Sequence, residues 1–138
     1  LSLCSLDRIV FDAQGVFYLP IPAVRDGGTL LVLEKENRRF AGKKVFHKCK
    51  VCHLLEEDGI NRIGPNLFGI IGRTSGTLQN FKYSRAMRNA GIVWDQKSLS
   101  QYLIKPQSFV PGTKMAFRGL DTTEEINNVV AYIIEQTK

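Results

Sequence analysis

Apolar and polar positions follow a helical period over two separate stretches of the chain. The clearer stretch comes last: Ile126, Val129, Val130, Ile133 and Ile134 recur at i, i+3, i+4, i+7 and i+8, the stripe of an amphipathic helix. Thr122-Thr123-Glu124-Glu125 precedes it as a capping box, with Thr122 as N-cap and Glu125 reaching back. The other stretch opens at Asn37, with Phe40, Val45 and Phe46 apolar among Arg38, Arg39, Lys43, Lys44 and Lys48. Gly42 stands inside it, where glycine costs about 1 kcal/mol relative to alanine. A close helix crossing would justify that cost, because a missing side chain lets another backbone approach. The first helix is therefore expected to cross the last near Gly42, Phe46, Val129 and Tyr132.

Between these two the pattern breaks up. Glu56 to Gly76 contains Gly59, Gly64, Pro65, Gly69, Gly72 and Gly76, too much punctuation for a helix and too irregular for a sheet. This is loop wrapped round something. Ser84 to Ala90 predicts a short helix with Ser84 as cap and Gly91 as its stop. A second runs from Gln96 to Lys105, capped by Asp95, ended by Pro106, with Leu99, Tyr102 and Leu103 on one face. Residues 1–36 read differently: Arg8 to Phe11, Val16 to Leu19 and Thr29 to Leu33 are short β-branched and aromatic runs. Gly15, Pro20, Pro22 and the Gly27-Gly28 pair separate them, and the pair sits where a tight turn would go. The expected division is an extended or hairpin arm over 1–36 and a helical domain over 37–138.

A chain of 138 residues suits one domain with a real core. No run of eighteen apolar residues is present to span a membrane. The first residue is Leu1 rather than methionine, which implies an upstream segment removed, a signal peptide or a membrane anchor. Residues 1–36 then read as a tether from such an anchor, with a docking arm as the competing reading. Leu1-Ser2-Leu3-Cys4 resembles a lipidation site, but Leu3 is too bulky for the small residue expected there, so Cys4 reads as an unpaired thiol. Charge is uneven. Residues 1–36 hold three basic and five acidic side chains, net −2, and the remaining 16 and 8 give +8. A basic surface invites nucleic acid, anionic lipid or an acidic protein. No helix-turn-helix pattern, zinc-finger spacing or basic-aromatic repeat supports nucleic acid, and an acidic protein partner ranks first.

The chemistry concentrates in Cys49-Lys50-Val51-Cys52-His53. C-x-x-C-H is the covalent attachment motif for haem: two thiols add across the vinyl groups and the adjacent imidazole becomes an axial ligand. The two-residue spacing brings both sulfurs onto one turn of chain. A redox dithiol or half of a zinc site would use the same C-x-x-C. Zinc would need further ligands, and His47, His53 and the distant Cys4 are the only other histidines and cysteine. A thioredoxin-like motif would need alternating strands and helices around it, which the pattern lacks. For a second axial ligand the soft thioethers are Met87 and Met115. Met87 lies in a short helix and reads as a core filler. Met115 ends Phe109-Val110-Pro111-Gly112-Thr113-Lys114-Met115, a stiffened loop 62 residues after His53.

The stretch from Arg39 to Lys138 resembles class I cytochromes c of the mitochondrial and α-proteobacterial type. The resemblance is carried by Gly42-Lys43-Lys44-Val45-Phe46, the C-K-V-C-H motif, Gly64-Pro65-Asn66-Leu67-Phe68-Gly69, Gly72-Arg73, Tyr83-Ser84, Asn89-Ala90-Gly91-Ile92-Val93-Trp94, Tyr102-Leu103 and Pro111-Gly112-Thr113-Lys114-Met115, in that order. It implies an all-α fold, first and last helices crossing, with long loops wrapped round one covalent haem c. By the same resemblance, Cys49 and Cys52 bond the haem, His53 is the proximal iron ligand and Met115 the distal one. Pro65 offers its carbonyl to the other imidazole nitrogen. Arg73, Tyr83 and Trp94 hold the buried propionate, which needs charged or donor partners out of water. The Tyr102 hydroxyl points at the methionine sulfur, and Thr113 lies near the propionates.

This sequence also departs from the mitochondrial pattern. Gln107 and Ser108 stand where a lysine pair follows the proline, and Leu120, Asp121, Thr122 and Thr123 replace a lysine run. Lys48, Arg62, Lys82, Lys105, Lys114 and Arg118 remain for a basic rim. What the resemblance implies is a single-electron carrier, not an enzyme, docking on acidic patches of a cytochrome bc1-type reductase and a cytochrome c oxidase. The haem domain is expected as a monomer in the bacterial periplasm, tethered to the inner membrane, with the mitochondrial intermembrane space as the alternative. Two other classes compete: a gas sensor or peroxidase if the Met115 loop swings away, and an interaction module worked by residues 1–36. Carbon monoxide binding to the reduced protein separates the first, and deletion of the arm the second.

Overall fold

The computed structural model describes the backbone of residues 10–11, 17–18 and 27–138, and side chains from Leu31 onward. Two compact units divide it, Leu1–Glu34 and Lys35–Lys138. In the first, β1 (Val10–Phe11) pairs antiparallel with β2 (Phe17–Tyr18), Val10 opposite Tyr18 and Phe11 opposite Phe17. Extended structure was expected in both runs, and these four residues have it. Cys4, Gly15, Pro20, Pro22 and the rest of those runs lie outside the described residues.

The third expected run is a correction. Thr29 to Leu33 is not extended and Gly27-Gly28 is not a turn between strands, because α1 (Gly27–Phe46) runs unbroken through both and through Asn37. The physical reason lies in the residues around the β-branched pair Thr29 and Val32. Leu30, Leu31, Leu33, Glu34, Lys35 and Glu36 are strong helix formers, and Glu34 stands four residues before Arg38 in the favourable order. A whole-window propensity outweighs two residues.

The helical pattern elsewhere gives the elements it predicts. In α2 (Arg85–Asn89), Ser84 caps by accepting the Met87 N–H at 3.0 Å, and Gly91 follows at φ +62°. In α3 (Gln96–Ile104), Asp95 accepts the Ser98 N–H at 2.7 Å while Ser98 Oγ accepts the Asp95 N–H at 2.8 Å, a reciprocal capping box. Pro106 ends α3 and begins one further turn, α4 (Pro106–Phe109), as proline's fixed φ favours at a first helical position. Thr122 caps α5 (Thr123–Gln136), accepting the Glu125 N–H at 3.1 Å. The Glu125 carboxylate, expected to reach back, has Lys48 Nζ as its chief partner at 2.7 Å and the Thr122 backbone as a lesser one.

The crossing forms at the glycine. A Cβ on Gly42 would lie 2.6 Å from Tyr132 Cβ and 3.0 Å from the Asn128 carbonyl carbon, so α1 and α5 touch backbone to backbone there. Phe46 meets Tyr132 with ring centroids 5.7 Å apart. Val129 and Val130 are buried completely beside this contact, and Ile126, Ile133, Leu99, Leu103 and Trp94 continue the core towards α3. From Leu54 to Tyr83 there is no helix or strand, only an isolated bridge between Thr74 and Val93. Among the described residues no helix is long and apolar enough to cross a membrane.

Candidate functional site

The tail of α1 delivers the reactive residues. Its hydrogen bonding continues past Phe46 as Cys49 and Lys50 N–H to the Phe46 carbonyl (2.8 and 2.9 Å), then Cys52 and His53 N–H to the Cys49 carbonyl (3.0 and 2.9 Å). These turns put both thiols, half-buried and unbridged, on the wall of one cavity of about 440 Å3. Burial and the neighbouring Cys52 push the Cys49 thiol up to about 11, against a smaller opposing pull from Lys48.

His53 is 8% exposed and lines the same cavity. Its Nδ1 lies 2.7 Å from the Pro65 carbonyl oxygen. A carbonyl can only accept, so Nδ1 carries the proton and Nε2 keeps a lone pair. Burial holds the ring below its ordinary pKa, outweighing the bond to Pro65, which favours the charged form. The ring is therefore a neutral donor suited to a metal. Gly64 makes room for it: a Cβ there would lie 2.7 Å from Nδ1 and 2.9 Å from Nε2.

The loop facing His53 is tied down by its own side chains. Asn66 Nδ2 donates to the Glu56 and Gly59 carbonyls at 2.7 and 3.0 Å, and its Oδ1 accepts the Phe68 N–H at 3.2 Å. Arg73 Nη1 donates to the Asn66 carbonyl at 3.2 Å and Nη2 to the Phe68 carbonyl. No carboxylate lies within ion-pair distance of Arg73 among the described residues. Tyr83 and Trp94 line the cavity with Arg73. Burial raises the Tyr83 hydroxyl above its ordinary value, and the adjacent Arg73 only partly offsets this. A guanidinium with a neighbouring phenol, and an indole that packs edge-on against Tyr102 with ring centroids 5.2 Å apart, are the donors this cavity offers a buried anion.

Opposite chemistry comes from α3 and the loop after α4. The buried Tyr102 hydroxyl was expected to point at the methionine sulfur; it lies 3.1 Å from Thr113 Oγ1, and burial raises its pKa. Thr113, expected near the propionates, is buried against that hydroxyl. Met115 also lines the cavity. All ten residues singled out from the sequence, Cys49, Cys52, His53, Pro65, Arg73, Tyr83, Trp94, Tyr102, Thr113 and Met115, thus meet at one cavity.

Sequence reasoning missed others. Met87, read as a core filler, is in the core and on the cavity wall as well, so both methionines of the chain face this space. Its register follows from the Ser84 cap, which was visible. Gln107, noticed only as a missing lysine, holds the Met115 loop by two hydrogen bonds. The remaining wall is apolar, with Leu67, Ile70, Leu99, Leu103 and Ile133. The donor set fits a haem: two thiols, a neutral imidazole, a thioether, an apolar slot and a cationic wall for carboxylates.

Comparison with known proteins agrees. A family model described as "Cytochrome c" matches residues 41–137. Cytochrome c2 of Afifella marina is 48% identical over 96 residues, covering 67% of this chain and 77% of that protein. Cytochrome c-550 of Bradyrhizobium diazoefficiens is 43% identical over 98 residues, covering 71% and 72%. A cytochrome c homolog of Rickettsia typhi is 40% identical over 92 residues, 67% of this chain and 53% of that protein.

Proposed function

Because the chain belongs to the cytochrome c family, and so is an electron carrier whose haem c is held covalently through Cys49 and Cys52, we propose the following working assignment. Single electrons pass by way of this protein from a cytochrome bc1-type reductase to a cytochrome c oxidase. His53 and Met115 would hold the haem iron. When bound, the haem supplies a one-electron couple between ferric and ferrous iron.

The rest is done by the chain. His53 binds through Nε2 because Nδ1–H is committed to Pro65, which also fixes the ring's orientation. With the haem bound, a thioether and an imidazole as its protein ligands would favour the ferrous state and raise the potential. Arg73, Tyr83 and Trp94 compensate the cofactor's carboxylates, and the apolar wall keeps water from the iron, which disfavours the additional ferric charge. Lys82 and Lys114, which line the cavity, with Arg62 and Lys105 supply the basic rim for acidic partners, while Lys48 and Arg118, also expected in it, are paired with Glu125 and Asp121. Residues 1–36 serve as an arm or tether and 37–138 as a monomeric haem domain in the bacterial periplasm.

The observation that supports this reading best is the meeting of both thiols, His53 and Met115 at a single cavity. It is tested by the visible spectrum of the ferric protein. A weak far-red charge-transfer band is expected, lost in Met115→Ala, and carbon monoxide should leave the reduced parent unchanged. A parent without the band, or one that binds carbon monoxide, would point to an open iron and to sensing or peroxide chemistry. Docking is tested separately: electron transfer to the oxidase should slow as ionic strength rises.

A further inference from the structure

The segment that carries Met115 is held from two sides. On the inner side, Thr113 Oγ1 meets the buried Tyr102 hydroxyl at 3.1 Å and accepts the Met115 N–H at 3.4 Å. On the outer side one side chain makes two bonds: Gln107 Nε2 donates to the Thr113 carbonyl at 3.1 Å and to the Met115 carbonyl at 2.9 Å. Those carbonyls flank Lys114 and Met115. Gln107 follows Pro106, which is among the most completely buried residues of the chain, so the strap is anchored in the core.

We propose that Gln107 is a positioning residue for the Met115 thioether, its amide pinning the loop against the cavity and setting how often the sulfur leaves the iron. This rests on the reading of Met115 as an axial ligand. The chemistry suits the task. A primary amide carries two N–H groups, one for each carbonyl, and no charge. A carboxylate at this position would repel both oxygens, and an apolar side chain would leave both to water. Gln107 itself is exposed, so losing it costs the whole domain little. The loss falls on local opening of the loop, an equilibrium distinct from unfolding.

Imidazole added to the ferric holoprotein probes that opening, because it binds only when the thioether has left. Each net hydrogen bond is worth a factor of a few, so Gln107→Met and Gln107→Ala should each raise the apparent imidazole affinity about tenfold. The far-red band without imidazole should persist, and the urea midpoint should barely move. In a Met115→Ala background, where the Met115 sulfur no longer competes, Gln107→Ala should change imidazole affinity less than about twofold. An unchanged affinity with the band intact overturns the strap alone, as does an equal rise in both backgrounds. A parent that lacks the band and is spectrally unaltered by Met115→Ala overturns the ligand reading and the strap with it.

Discussion

The crossing of α1 with α5 and the loop from Leu54 to Tyr83 are adjacent parts of one domain, held by different means. At the crossing, apolar side chains of regular period meet, and the glycine between them lets two backbones touch. The chain supplies both partners there. In the loop, order comes from single polar side chains reaching across to carbonyls, Asn66 to Glu56 and Gly59, Arg73 to Asn66 and Phe68. Behind those bonds lies a cavity of about 440 Å3 that the chain does not fill. One region is complete as protein; the other is half a structure whose complement is the cofactor.

The largest test of that contrast is removal of the haem. Without the haem the apolar wall of Leu67, Ile70, Leu99, Leu103 and Ile133 is left to water, which removes the burial that orders the loop. In Cys49→Ala/Cys52→Ala, made without haem, amide exchange over 54–83 should lose its protection, and α5 should retain more than the loop. Equal loss in both regions would erase the distinction. Next comes Gly42→Val, which forces a branched side chain into the Tyr132 and Asn128 contact. About 3 kcal/mol or more should be lost in urea denaturation of the holoprotein. A cost under about 1 kcal/mol would mean that the helices do not meet there.

Smaller effects sharpen the loop side. Asn66→Ala removes both carbonyl contacts and the acceptor for Phe68 N–H, for about 2 kcal/mol. Exchange should quicken at 56–68 before it does in α5. The smallest effect is expected at Asp95, whose carboxyl is held below its ordinary value chiefly by the Ser98 N–H and then by the Ser98 hydroxyl. Its folded pKa is depressed, so its contribution is present above the unfolded value, about 4. That contribution fades as pH falls through the lower folded value. Asp95→Asn keeps a cap but has no proton to take up. The stability of parent and variant should therefore converge on acidification below about pH 4, in thermal melts; a constant difference would remove the carboxylate from the account.

What could be read beforehand follows the same line. The stripe of Ile126, Val129, Val130 and Ile133, the Ser84, Asp95 and Thr122 caps, and the close approach at Gly42 are local patterns or their direct consequence. They appear in the structure as the sequence predicts. The C-x-x-C-H stretch was equally legible, because its chemistry is packed into five contiguous residues. The start of α1 was not, since Thr29 and Val32 drew attention from the helix formers around them. Nor was the path of the loop: Asn66 finds Glu56 only after the chain has folded, and nothing in Gly64-Pro65-Asn66 names that partner. Gln107 shows the same limit. As a residue it was merely not lysine; its two bonds depend on where the next eight residues turn.

The Lys48–Glu125 bond spans 77 residues, and Ile133 beyond it forms part of the cavity wall. The wall is thus assembled from segments far apart in sequence. An unfolded chain exposes its two thiols until α5 docks and closes that side of the cavity. Contacts this distant also slow folding, which lengthens the interval in which the thioether bonds can be made before the protein closes over its ring.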